Sequence, residues 1–234
     1  MARINDVLAT IEKLSDVKKA LILQKFFKTG KGEYAEGDIF LGIPVPVQRK
    51  VAKEYVDLSL FEIEKLLQSS IHEHRLVALL ILVSQYERGD FEQKRHLFSF
   101  YLEHTSSINN WDLVDLTAPK IVGDFLLHQT REVLYQMVRS RRLWDRRIAV
   151  LATFTFIREH QFEDSFWLCE GLLADSHDLI HKACGWMLRE IGKRDEKVLE
   201  LFLKKHARVM PRIMLRYAIE RMSEKKRKEW FGKK

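Results

Sequence analysis

Apolar residues along this chain recur at spacings of three and four, as in Leu76, Leu79, Leu80 and Val83, rather than at two. That period marks helices that turn one face to a core. Only four prolines and ten glycines punctuate the 234 residues, so few positions force a break. The pattern predicts helices over 3–14, 16–28, 46–57, 59–68, 72–88, 91–104, 111–127, 130–139, 143–159, 163–174, 177–193, 195–205, 209–221 and 223–231. Short turns such as ERGD at 87–90 and ADSHD at 174–178 separate them. The fold class expected from this is all-α.

A longer period lies over the short one. Alanines at 78, 118, 149, 183 and 218 stand in similar basic and apolar settings, HRLVALLIL, DRRIAVLA, HKACGWML and RYAIERM among them. Successive separations of 40, 31, 34 and 35 residues, with two helices per unit, indicate a helical solenoid of the HEAT or armadillo kind. One continuous repeat domain over 1–234 is expected.

The segment TGKGEYAEGDIFLGIPVP at 29–46 breaks the helical pattern and gathers four of the ten glycines and two of the four prolines. It reads as a loop between the second and third helices. Its glycine spacing is no dinucleotide fingerprint, because no strand precedes it and no helix opens on its last glycine. A plain glycine turn accounts for it, yet Tyr34 among the glycines is an aromatic that could touch a ligand or a DNA groove, and the helix opening at PVPVQRK could offer amides to a phosphate.

Charge narrows the class of partner. Forty Lys and Arg against 33 Asp and Glu give a formal charge of +7, which favours an anionic partner, nucleic acid before membrane. The longest apolar runs, such as VALLILV at 77–83, fall far short of the roughly 20 residues needed to cross a bilayer. MARINDVLATIEKL lacks a signal-peptide core, so a cytosolic protein is expected. Cys169 and Cys184 lie fifteen apart without CxxC spacing and read as reduced structural thiols.

Candidate chemistry is sparse. Trp111 and Asp115 stand four apart in NNWDLVDL, a spacing that puts an indole and a carboxylate on one helix face. Asp112 points to another face and suits the start of that helix, where a carboxylate is favoured. Five arginines, Arg139, Arg141, Arg142, Arg146 and Arg147, crowd RSRRLWDRR at a helix junction, and arginine takes phosphate bidentately. Lys204, Lys205 and the run at 225–228 read as a solvated face. His177 and His181 have a zinc-compatible spacing but neither an HExxH frame nor a third ligand, so no metal is expected. Trp144 and Trp167 read as core. By composition Trp111 is equally open to a core role, and spacing alone does not decide.

The segments WDLVD at 111–115, WDRRIAVL at 144–151 and ACGWMLRE at 183–190, with FLGIP at 40–44 behind the glycine stretch, resemble in content and order the AlkD-type DNA alkylation repair glycosylases. The resemblance runs from about residue 20 to 220. It implies a right-handed superhelix of HEAT-like repeats whose concave basic face holds duplex DNA. It implies that Trp111 and Trp186 contact the deoxyribose, that Asp115 is the catalytic carboxylate and that Arg147 is the site arginine. Arg139, Arg141, Arg142, Arg146, Arg189 and Tyr34 are the further DNA-contact candidates, Tyr34 with no gap-free counterpart in the family. The implied activity is hydrolysis of the N-glycosidic bond of cationic purines such as 3-methyladenine and 7-methylguanine in double-stranded DNA, by a monomer without metal or cofactor in the bacterial cytosol and nucleoid. A DNA-binding protein without catalysis and a HEAT-type protein scaffold are the other readings. The scaffold gives no reason for Trp111 and Asp115 to share a helix face.

Overall fold

A computed structural model describes residues 3–232. Only the outermost two positions at each end of the expected 1–234 domain lie outside it. Every regular element among the described residues is helical; one isolated parallel bridge, Ile39 to Ile71, is the sole β pairing among them. The residues group into two compact units, Met1–Thr117 and Ala118–Lys234.

The first unit contains α1 (Ile4–Lys13), α2 (Val17–Phe26), α3 (Val45–Glu54), α4 (Leu60–Leu67), α5 (His72–Arg88) and α6 (Phe91–Glu103). A 3-10 turn at Thr105–Ser107 leads to α7 (Trp111–Ala118). Helix α5 is the axis of this unit. It is buried nearly all round, from Leu76 through Val83, and α3 and α4 pack on it. A helix apolar on every side must be enclosed, and this is why VALLILV shows no polar stripe. Ser59 and Asp90 cap α4 and α6 through the backbone N–H groups of Glu62 and Gln93, and each cap is answered by the third residue's side chain.

The second unit contains a π-helical turn (Pro119–Gly123), α8 (Asp124–Leu126), α9 (Glu132–Met137), α10 (Leu143–Arg158), α11 (Glu163–Gly171), α12 (Asp178–Arg194), α13 (Glu196–His206), α14 (Arg212–Ala218) and α15 (Glu224–Gly232). Helix α12 packs chiefly on α14 and α10. Gly185 permits the first contact: a Cβ there would stand 2.5 Å from the Tyr217 Cβ and 2.6 Å from the Met214 carbonyl oxygen. Trp186 is the next residue, so the glycine of the GW pair fixes how closely α12 lies on α14.

The helix predicted over 111–127 is divided between α7, the π turn and α8. Pro119 has no N–H to return to the Asp115 carbonyl, so the regular ladder lapses one turn after the candidate carboxylate. Likewise Pro211 sets the start of the helix predicted over 209–221, which runs over Arg212–Ala218.

The loop at 29–46 is ordered by what surrounds it. Glu73, fully buried, accepts from the backbone N–H groups of Leu41 (2.9 Å), Gly42 (2.8 Å) and Ile43 (3.2 Å). Gly42 has φ +85°, and a Cβ on it would lie 2.2 Å from the Asp16 carbonyl oxygen and 2.6 Å from the Ala20 nitrogen. A left-handed backbone and that close approach to α2 both require glycine. FLGIP is therefore a structural clasp between α2 and α5.

Candidate functional site

Trp111 opens α7 and is half-buried. Its ring stacks on Phe27 at 5.0 Å and 12° and meets the edge of Phe26 at 6.0 Å and 75°. Behind it three rings touch one another: Phe27 stacks on Phe40 at 4.8 Å, Phe40 on His72 at 4.4 Å, and His72 is tilted against Phe27 at 5.3 Å. Offset-stacked rings at these distances favour one orientation over others, so the indole rests on a stiff base. Phe27 comes from the end of α2, Phe40 from the glycine loop and His72 from the first turn of α5.

His72 also belongs to a buried charge cluster that sequence reading missed. His72 Nε2 is 2.8 Å from Asp112 Oδ2, and Nδ1 is 3.4 Å from Asp38 Oδ2. Arg75 donates to the other Asp38 oxygen at 2.7 Å and to the Ser69 carbonyl at 2.6 Å. Asn109 and Asn110 also donate to Asp38, at 3.0 and 3.4 Å. Burial works against a charge on His72, but the charge and hydrogen bond of Asp112 and the hydrogen bond of Asp38 outweigh it and raise the pKa to about 9, against opposition from Arg75. An imidazolium donates from both nitrogens. Burial pushes the Asp38 carboxyl up, yet His72, Arg75 and Asn109 hold it below its ordinary value. The signal was available in HEHR at 72–75, four polar residues leading into an all-round apolar helix, where side chains this deep need partners.

The cluster fixes the start of α7. Asn110 Oδ1 accepts from the Trp111 N–H at 2.9 Å, and Asp112 Oδ1 from the Leu113 N–H at 2.9 Å. Asp112 thus does belong to the helix start, with His72 as its counter-charge. Asp115, one turn after Trp111, is half-buried. Near it Tyr101, fully buried, meets Thr117 Oγ1 at 2.9 Å; burial chiefly raises the Tyr101 pKa, the Thr117 hydrogen bond lowers it, and the Asp115 charge adds to the rise.

In the second unit Arg147, on α10, is buried and donates to the Leu179 carbonyl at 2.5 Å. It secures the first turn of α12. Trp186, half-buried on the same helix, has its indole N–H 3.3 Å from Glu190 Oε1, and its ring is tilted 44° to Phe154 at 6.1 Å. Glu190 also receives Lys193 at 2.6 Å, so the indole is anchored in an ion-pair group. Within this unit α12 thus carries Trp186 and is held at its start by Arg147.

Of the arginine candidates, Arg139, Arg141 and Arg142 are exposed, the last 3.5 Å from Asp145. Arg146 is engaged with Asp175 at 2.6 Å and with the carbonyls of Ser140 and Arg141 at 3.0 Å. Arg189 pairs with Glu220. Tyr34 is half-buried in the glycine loop. Trp144 is core, whereas Trp167 is 45% exposed and edge-on to Tyr135 at 4.6 Å. It departs from its expected core role because Ser165, Leu168 and Cys169 take the inner face of α11. Cys169 and Cys184 are free, buried thiols; burial and the neighbouring Cys184 raise the Cys169 pKa. His177 caps α12, its Nδ1 accepting from the Leu179 N–H at 3.1 Å. Among the described residues no group of three or more His, Cys, Asp or Glu is placed to hold a metal ion, and no helix is long and apolar enough to cross a membrane.

Comparison with known proteins agrees with the motif segments. No curated protein matches the chain significantly. Among solved structures it is similar to one described as a predicted DNA alkylation repair enzyme from Enterococcus faecalis, at 19% identity and a TM-score of 0.72, covering 90% of this chain and 97% of that one. At that identity the likeness shows a shared fold. A sequence model described as DNA alkylation repair enzyme matches residues 7–222, so the segments carrying Trp111, Asp115, Arg147 and Trp186 all fall inside it. The chain belongs to the DNA alkylation repair enzyme family.

Proposed function

We propose that this protein is a DNA glycosylase that hydrolyses the N-glycosidic bond of cationic alkylated purines, 3-methyladenine and 7-methylguanine among them, in duplex DNA. The observation that carries the reading is Asp115 one helical turn from Trp111, with the indole stacked on Phe27 of the Phe27–Phe40–His72 ring cluster. The reading includes a right-handed superhelix of HEAT-like repeats that offers DNA a concave basic face. It needs no metal or cofactor.

A purine alkylated at a ring nitrogen is already a good leaving group, so little general-acid help is required. What needs stabilising is the deoxyribose, which gains oxocarbenium character as the bond breaks. Asp115 supplies the counter-charge and positions the attacking water, while the faces of Trp111 and Trp186 cradle the sugar. The exposed Arg139, Arg141 and Arg142 address the phosphates, and Arg147, buried with one N–H on the Leu179 carbonyl, holds a flanking phosphate through its remaining donors; Arg146 and Arg189 take part while paired with Asp175 and Glu220. Because the sugar is the recognised centre, the base stays stacked, and no deep pocket for an extruded base is called for.

The test is base release. Purified protein incubated with duplexes carrying each lesion should liberate 7-methylguanine or 3-methyladenine, read by chromatography. Tight binding to those duplexes with no release of either base would reduce the protein to a DNA-binding member of the family. Trp186→Ala should slow release roughly two- to thirtyfold, the equivalent of about 0.5 to 2 kcal/mol of cation–π stabilisation. Its melting temperature should change little, because the indole is only half-buried; a collapse in melting temperature would assign Trp186 to the core instead.

A further inference from the structure

Helix α2 buries none of its residues. It rests on the glycine loop through Gln24, whose amide donates to the Asp38 carbonyl at 2.9 Å and whose oxygen accepts from the Phe40 N–H at 3.3 Å. The arc turned away from Ala20, Leu23 and Phe27 carries Val17, Leu21, Ile22 and Phe26, exposed by 76, 63, 66 and 62%. Turning about 100° per residue, these four span roughly half the circumference, and Lys18 and Lys25 fall between them. Both lysines are exposed, and neither forms an ion pair among the described residues. Aliphatic groups left in water on one ten-residue helix mark an interaction surface. The surface runs directly into the candidate site, since Phe26 meets Trp111 edge-on at 6.0 Å.

We propose that α2 is a DNA-docking helix: Val17, Leu21 and Ile22 lie against the sugars and base edges of the minor groove beside the lesion, and Lys18 and Lys25 neutralise the flanking phosphates. The proposal rests on the reading of the protein as a DNA glycosylase. Charge complementarity selects the occupant. A second copy would bring the same lysines against these, and like charges oppose that association. Duplex DNA instead supplies an anionic row on each side of a groove about 6 Å wide. Apolar side chains inserted from that groove side are an established way of holding or kinking a duplex.

The experiment measures binding of the full chain to a short duplex at several salt concentrations, for the wild type, Leu21→Ser/Ile22→Ser and Lys18→Gln/Lys25→Gln. The altered side chains are exposed, so all three proteins should melt alike. The serine variant should bind roughly tenfold more weakly, because less aliphatic surface leaves water, with an unchanged salt slope. The glutamine variant should also weaken, and its log–log salt slope should become shallower by about 2, roughly one unit for each phosphate that is no longer neutralised. Wild-type affinity and slope in both variants would overturn the docking role while leaving the glycosylase reading intact. So would loss of binding to anionic phospholipid vesicles, or of a dimer in sedimentation, with DNA binding untouched. If the wild type neither binds duplex DNA nor releases a base, the glycosylase reading fails, and the docking role with it.

Discussion

Asp115→Asn should abolish nearly all base release while leaving DNA binding and melting temperature unchanged. The substitution keeps the side chain's shape and removes its charge. Two unit charges about 4 Å apart at an effective dielectric of about 20 interact by about 4 kcal/mol, and preorganised charge aimed at a developing cation is the type of interaction that lowers a barrier without tightening ground-state binding. A loss of about 4 kcal/mol corresponds to roughly a thousandfold in rate. Asp115 is half-buried, which supports an effective dielectric below that of water. Single-turnover excision on a duplex containing 7-methylguanine is the measurement, with the affinity for undamaged duplex as its control. Unimpaired release would remove Asp115 from the mechanism. Equal losses of release and of affinity would make it a DNA-positioning residue.

The helices were legible because burial imposes a period that survives without any tertiary knowledge. The long elements, α5, α10 and α12, lie close to where the 3.6-residue pattern put them. Boundaries moved where a single residue altered the ladder, as at Pro119 and Pro211. The site was legible in a different sense. Four apart on a helix, Trp111 and Asp115 had to share a face, and this holds for any context. What holds that face in place was not legible, since Phe27, Phe40 and His72 are 84, 71 and 39 positions before Trp111 and meet it only after α2, the glycine loop and α5 have come together. The same limit applies to the arginines. RSRRLWDRR announces cations, but which of them are already engaged, as Arg146 is with Asp175, depends on a turn nearly thirty residues further on.

The buried cluster leads to a second large effect, on stability and through it on Trp111. His72 lies between Asp38 and Asp112 with only 1% of its surface exposed, and Arg75 is the other cation facing Asp38. Removing the imidazole strands two buried carboxylates with a single counter-charge, a loss of about 3 to 5 kcal/mol by analogy with other broken buried pairs. Protonation makes the effect depend on pH. The folded-state pKa is raised from 6.5 to about 9, so the folded protein holds this proton more tightly than the unfolded chain. The stabilisation, about 3 kcal/mol at about 1.4 kcal/mol per pKa unit, is therefore complete below pH 6.5, shrinks as pH rises, and is gone above pH 9. Denaturant unfolding of the wild type and His72→Gln between about pH 6 and 10 should show a wide stability gap at the acidic end that closes toward the alkaline end. Because His72 also packs against Phe27 and Phe40, and Phe27 is the ring on which Trp111 stacks, excision by the wild type should weaken over the same interval, while excision by His72→Gln should be low and flat. A gap of constant width across the whole range would mean that His72 is neutral in the fold and supports the indole by packing alone.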